Sequence, residues 1–300
     1  MTTIAVVGPG SVGTYIAAQF AAAGNDVLAC ARRPFDQYVV DSPEHPVHLP
    51  ARVAIEPDGV PRGWTPRFVL VCVKAHQTAG AAGWLARLAG EGTTVVAVQN
   101  GVEGRERLTP YAPGAEVLPS VVYCGAELLE PGHVRHYTHG LLITPDVASA
   151  HELAAAAVGG GVHVRPDAAY VTETWRKLGA NIGANGLTAL TRRRLEVLAE
   201  PGIADLLRGL LTETWTVARA EGADLGAGDV DAFLAGLGTR PPAGGTSMYY
   251  DRMAGRPTEH DALYGAVVRA AARHGIATPL VGALHALIAA GDGAGDGGVG

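Results

Sequence analysis

Apolar residues fall into two regimes along this chain. Up to about Pro166 they come in short runs separated by turn residues. Ile4–Val7, Asp26–Ala31, Phe68–Val73 and Thr94–Val98 are such runs, and unbroken runs of this length predict strands buried on both faces. Val117–Tyr123, Val134–Tyr137, Leu141–Thr144 and Val162–Val164 predict further, shorter strands, some of them antiparallel. An Ala-rich helical stretch runs to Ala23, where Gly24 stops it as a C′ residue does, and a second covers Gln77–Ala89. Beyond Pro166 the period becomes helical and β runs all but vanish. Helices are predicted at Thr172–Leu190, Pro201–Glu221, Asp229–Leu237, Ser247–Met253, Thr258–His274 and Pro279–Ala290, with Gly238–Thr246 as a loop. Thr258 with Asp261 is a relative of the capping box, and Thr278-Pro279 reads as a cap followed by an N1 proline. The pattern predicts an α/β part over residues 1–166, an all-helical part over 167–290 and a disordered, low-complexity tail over 291–300.

Composition narrows the function classes. The chain has 300 residues, 48% hydrophobic and 17% charged, so it can bury a sizeable core. Its net charge is −6, and it has no Lys/Arg run long enough to follow a phosphate backbone, which argues against a nucleic-acid partner. Cys30, Cys72 and Cys124 are odd in number and widely spaced, with no CxxC. They argue for a reducing compartment and against a disulfide framework. With no apolar run of membrane-spanning length, the expectation is a cytoplasmic protein without a membrane partner. No residue spacing suggests a metal site.

The turn after the first strand adds chemistry. Gly8, Gly10 and Gly13 match G-x-G-x-x-G, with a strand before, a helix after and a second strand on schedule. That context predicts a Rossmann dinucleotide-binding domain. The first glycine allows the tight turn, the second admits a pyrophosphate, and the third lets helix and strand pack closely. The free N–H groups of Ser11, Val12 and Gly13 would then hold the anion. Where an NAD enzyme carries a carboxylate at the end of the second strand, this chain has Ala31-Arg32-Arg33. Guanidinium suits a ribose 2′-phosphate, so the reading is NADP(H), with Arg32 as the contact. A surface arginine pair is the other reading. Lys74 and Asn100 each follow a predicted buried strand, where ligands bind in open parallel sheets. A solvated strand end and a plain Asn-Gly turn are their alternatives.

The helix WRKLGANIGANGLTAL, Trp175–Leu190, is unusual. Lys177, Asn181 and Asn185 at i, i+4 and i+8 form one stripe roughly 12 Å long. Gly179, Gly183 and Gly186 each cost up to about 1 kcal/mol against Ala, so something packs close to this backbone. By itself the stripe fits a face for a carbonyl or carboxylate ligand and a set of solvated amides equally.

Five segments in this order resemble the ketopantoate reductase family across Thr3–Ala290. They are the glycine turn, VKAHQ (Val73–Gln77), QNG (Gln99–Gly101), the helix above and TSMYYDRMAGRPTEHDALYG (Thr246–Gly265). The resemblance implies an NADPH-dependent 2-oxo acid reductase with a Rossmann domain, a helical domain and an active site in the cleft between them. It implies that Lys177 is the catalytic lysine and that Asn181, Asn185 and Asn100 face substrate or nicotinamide. By the same resemblance Ser247 binds the substrate carboxylate, Glu259 holds substrate and cofactor, and Lys74 lies near the cofactor. Family members often pair, which makes a homodimer an expectation.

One departure bears on the substrate. Leu195 stands about where the family often carries a further active-site asparagine. The expected reaction is reduction of 2-dehydropantoate to pantoate, in pantothenate biosynthesis. A different carbonyl substrate in a specialised pathway is the alternative. A non-catalytic NADP(H) sensor is a further one, although a sensor has no need of Lys177, Asn181 and Glu259 together.

Overall fold

The structure, a computed structural model, describes residues 1–237 and 243–293. It divides into two compact units, Met1–Tyr170 and Val171–Gly300. The first begins with β1 (Thr3–Val7), α1 (Ser11–Ala22) and β2 (Asp26–Cys30), with Gly24 at φ 84° ending α1. Three short strands follow, β3 (Gln37–Asp41), β4 (Val47–Pro50) and β5 (Arg52–Ala54). Then come β6 (Phe68–Val71), a 3-10 turn at Ala75–Ala81, α2 (Ala82–Leu88) and β7 (Thr94–Ala97). The expected single helix Gln77–Ala89 therefore starts as a 3-10 segment, in which the Thr78 hydroxyl donates to the Ala75 carbonyl. Next are α3 (Gly104–Leu108), β8 (Glu116–Pro119), β9 (Val121–Glu130) and β10 (His133–Pro145). The unit closes with α4 (Ala148–Ala157) and β11 (His163–Asp167).

Six strands form a parallel sheet in the order β5-β2-β1-β6-β7-β8. The chain builds outward from β1 on one side and then from β6 on the other, so the strand order reverses between β1 and β6. Alternate residues feed two apolar layers. Ile4, Val6, Phe68 and Leu70 join Tyr15, Ile16 and Phe20 of α1. Ala5, Val7, Val69 and Val71 join Leu85 and Leu88 of α2 and Leu108 of α3. A second, mixed sheet pairs β11, β10, β3 and β4, with β9 antiparallel to β10. Its Tyr38, Val40, Val134 and Leu142 share the layer of α1, so that helix is covered by both sheets.

The division between the compact units falls after Tyr170, beyond the expected break at 166/167. Pro166 and Asp167 still pair with Thr144 and Pro145 of β10, which keeps the chain in the sheet past the proline. As an edge strand, β11 tolerates a residue without an N–H.

The regular elements described in the second unit are all helices. It comprises α5 (Tyr170–Thr191), α6 (Pro201–Ala220), α7 (Ala227–Leu237), α8 (Ser247–Met253), α9 (Ala266–His274) and α10 (Pro279–Gly293). A π-helical segment, Asp261–Gly265, leads into α9, which ends at Gly275 in the left-handed region. Thr258 does not form a capping box with Asp261. Its hydroxyl and N–H both donate to Asp292, while Asp261 takes Arg269. Those bonds also correct the expected tail. Asp292, held by Thr258 and by Arg252 at 3.0 Å, keeps residues 291–293 in α10. Residues 294–300 of the expected tail, and 238–242 of the expected loop, lie outside the described residues. Glu213 of α6 caps α10 by accepting from the N–H groups of Leu280 and Val281. Among the described residues no helix is long and apolar enough to cross a membrane.

Candidate functional site

Strand register puts the first group of residues on one sheet edge. Val7 pairs with Cys30 on one side and Val71 on the other, and Val71 pairs with Ala97. Gly8, Ala31, Cys72 and Val98 are thus level, just beyond the carboxyl ends. Arg32 follows one residue later, Lys74 and Asn100 two residues later. The strand order reverses between β1 and β6, so Gly8 and Lys74 flank the switch point, where α/β sheets bind ligands.

The glycine turn is closely specified. Gly8 donates to Cys30 O, Gly10 N–H donates back to Gly8 O at 2.8 Å, and the Thr14 hydroxyl donates to Pro9 O. Gly8 has φ 83°, and a Cβ there would sit 2.4 Å from Val73 Cγ1. A Cβ on Gly13 would lie 2.5 Å from the Gly8 carbonyl oxygen and 2.9 Å from Cys72 Cβ. Both glycines are demanded by protein packing. Gly10 differs, because a Cβ there meets nothing within 4 Å. Helix α1 begins directly after it, with no side-chain cap and no acidic residue in its first turn. Ser11, Val12 and Gly13 therefore present first-turn N–H groups at the positive end of the helix dipole. This arrangement fits a dinucleotide pyrophosphate. Arg32 and Arg33 are exposed and make no hydrogen bond or ion pair among the described residues.

Gln99, named from sequence only as part of the QNG segment, organises this edge. It is 5% exposed, and its amide donates to Val73 O and Thr78 Oγ1, each at 2.9 Å. It therefore ties the turn carrying Asn100 to the turn carrying Lys74. A polar residue ending an apolar strand was the available signal.

The second group lies in the helical unit. At about 100° per residue, Lys177, Asn181, Asn185 and Thr188 span about 80° of α5, and Gly179, Gly183 and Gly186 occupy the opposite side. The glycine side faces protein. A Cβ on Gly179 would meet the Trp215 indole at 3.3 Å, one on Gly183 would meet Leu207 Cδ1 at 2.6 Å, and one on Gly186 would meet the Tyr264 hydroxyl at 2.2 Å. On the polar side, the Asn181 and Asn185 amides make no hydrogen bond among the described residues, although Asn185 is only 5% exposed. Lys177 is half-buried.

Thr188 continues the face and connects it to α8. Its hydroxyl meets Thr246 Oγ1 at 2.8 Å, and Thr246 in turn accepts from Tyr249 N–H as the α8 N-cap. Ser247, the first residue of α8, is exposed and does not do the capping. Leu195 starts a 3-10 turn, and its N–H donates to Gly244 O at 2.9 Å, bracing the loop that enters α8. Glu259 is 7% exposed and immediately precedes the helical turn containing the π segment. Among the described residues no group of three or more His, Cys, Asp or Glu side chains is placed to hold a metal ion.

Comparison with known proteins follows the same two-part division. The family described as "Ketopantoate reductase PanE/ApbA" matches residues 4–148, and "Ketopantoate reductase PanE/ApbA C terminal" matches 170–292. A 2-dehydropantoate 2-reductase of Mycobacterium tuberculosis is 38% identical over 299 residues, covering 96% of this chain and 97% of its own. A PanE/ApbA family ketopantoate reductase structure from Ralstonia eutropha superposes with a TM-score of 0.88 at 30% identity, over 98% of this chain and 99% of that one. A dimeric ketopantoate reductase structure from Staphylococcus aureus gives 0.86 at 26% identity, over 97% and 99% of the two chains.

Proposed function

Because the chain belongs to the ketopantoate reductase family, we propose that it reduces 2-dehydropantoate to pantoate with NADPH. The observation that carries this reading is the α5 face, a lysine and two amides that make no hydrogen bond among the described residues, opposite a wall of close-packed glycines.

The strand-end residues hold the cofactor. First-turn N–H groups of Ser11, Val12 and Gly13 bind the pyrophosphate, and Gly10 lets backbone come close to it. Arg32 pairs with the 2′-phosphate, which favours NADPH over NADH. Lys74 and Asn100 lie beyond β6 and β7 on the same edge, and Asn100 orients the nicotinamide. When bound, the reduced nicotinamide supplies a hydride to the keto carbon. Lys177 donates a hydrogen bond to the carbonyl oxygen, where negative charge develops, and then transfers a proton to it. Asn181 aligns the carbonyl, and Asn185 extends the same donor row. Ser247 holds the substrate carboxylate together with backbone N–H groups at the start of α8. Glu259 accepts from a substrate hydroxyl and contributes to holding the cofactor. We extend the reading to a cytoplasmic enzyme of pantothenate biosynthesis that acts as a homodimer.

The test is oxidation of NADPH and of NADH by the purified chain with a panel of 2-oxo acids. We expect the highest kcat/KM for 2-dehydropantoate and a clear preference for NADPH. A higher kcat/KM for another 2-oxo acid would move the substrate, and cofactor binding without turnover of any carbonyl compound would remove the enzymatic reading.

A further inference from the structure

One buried hydroxyl links the two segments that carry the proposed substrate groups. Tyr264 is fully buried within the π-helical segment. Its hydroxyl donates to the Ile182 carbonyl at 2.7 Å and accepts from the Gly186 N–H at 2.7 Å. Those are the two backbone groups that an i to i+4 bond of α5 would join directly. The phenol oxygen thus bridges the helix ladder in the turn that carries Asn185, one turn beyond Asn181. Gly186 makes room for it, since any Cβ there would lie 2.2 Å from the oxygen and 2.7 Å from Cζ. A π turn adds a residue per turn relative to an α-helix, and such turns concentrate at functional sites. Here it swings Tyr264 onto α5, five residues after Glu259. Burial pushes the Tyr264 phenol well above its ordinary pKa, so the hydroxyl keeps the proton that it donates. A side chain entering a helix ladder is also a recognised cause of a local bend.

We propose that Tyr264 is a positioning residue, whose hydroxyl pins the Glu259 segment to α5 and sets Asn181 and Asn185 in register with Glu259. This proposal rests on the function proposed above. The pin acts through other residues and does not itself touch substrate.

The decisive variant is Tyr264→Phe in the full chain, which keeps the ring and leaves Ile182 O and Gly186 N–H to each other. With saturating NADPH, we expect KM for 2-dehydropantoate to rise and kcat to fall, together lowering kcat/KM at least tenfold. The dissociation constant for NADPH should change less than KM for 2-dehydropantoate, because the glycine turn and Arg32, which hold most of the cofactor, are built in the other unit, and only Glu259 lies in the pinned segment. Hydrogen exchange should rise together in peptides covering Asn181–Thr188 and Thr258–Tyr264. Unchanged kcat and KM in the folded variant would overturn the proposal, even with a lower melting temperature, since the hydroxyl would then be merely structural. If Tyr264→Phe fails to fold, Gly186→Ala, which crowds the oxygen while keeping Tyr264, is read by the same criteria. Wild-type turnover separates the two claims. An active wild type with an unaffected variant sinks the pin alone. If the wild type reduces no 2-oxo acid, the function fails, and the exchange of the two segments still decides the pin. Correlated loss of protection upholds it and unchanged protection refutes it.

Discussion

Gly8, Gly10 and Gly13 of the first unit and Gly179, Gly183 and Gly186 of α5 form similar sequence patterns, three glycines spread over eight residues or fewer. In the structure they answer to different neighbours. All three on α5 are filled against by protein, Trp215, Leu207 and Tyr264. In the turn, Gly8 and Gly13 meet Val73, Cys72 and each other, whereas Gly10 meets nothing within 4 Å. A glycine pressed by side chains reports packing. One whose missing Cβ faces open space beside an uncapped helix start reports room for a ligand. On α5 the polar side chains therefore sit on the face away from the glycines, while in the turn the open glycine itself borders the uncapped helix start.

Substitutions can break this contrast. Gly13→Ala carries the largest effect, because its Cβ would press on backbone at 2.5 Å, which cannot swing aside. We expect a loss of about 3 kcal/mol or more, read by thermal melting, and no measurable NADPH binding. Arg32→Ala should leave melting unchanged and weaken NADPH by about 10–100-fold, with NADH much less affected, as expected for a lost charge-assisted bond of about 1.5–3 kcal/mol. Equal losses for both cofactors would remove Arg32 from the 2′-phosphate. Gly10→Ala sharpens the contrast most, since stability should move by no more than about 0.5 kcal/mol. Calorimetric titration should nevertheless show NADPH bound on the order of tenfold more weakly, or about 1.4 kcal/mol. Gly183→Ala is the smallest. Overpacking against the flexible end of Leu207 costs about 1–3 kcal/mol, and better helix propensity returns up to about 1 kcal/mol. The net should be a loss of about 1 kcal/mol in stability with unchanged NADPH affinity.

Much of this architecture was legible in the chain. The strand–glycine–helix–strand start and the buried strands β6 and β7 follow from unbroken apolar runs, and the helices after Pro166 from their period. Residues 37–54 hid three strands because each is only three to five residues long and prolines punctuate them. The alternation within β3 becomes visible only once β4 and β10 lie beside it. Helix α4 was missed, since its alanine-rich sequence lacks a strong polar face. The stripe Lys177, Asn181 and Asn185 was readable by spacing, and Thr188 was its natural continuation. The roles of Gln99 and Tyr264 were not readable, because both depend on backbone groups far away in sequence. That Thr246 caps α8 was not readable either, because a Thr-Ser pair leaves the cap undecided on its own.

The α5 face is the centre of this account, and Lys177→Ala tests it most directly. The measurement is steady-state reduction of 2-dehydropantoate at saturating NADPH, beside the dissociation constant for NADPH and a melting curve. If Lys177 is the proton donor, kcat falls about 10²–10⁴-fold, the usual worth of a positioned proton donor, with cofactor affinity and melting unchanged. A folded Lys177→Ala variant that turns over at close to the wild-type rate would contradict it.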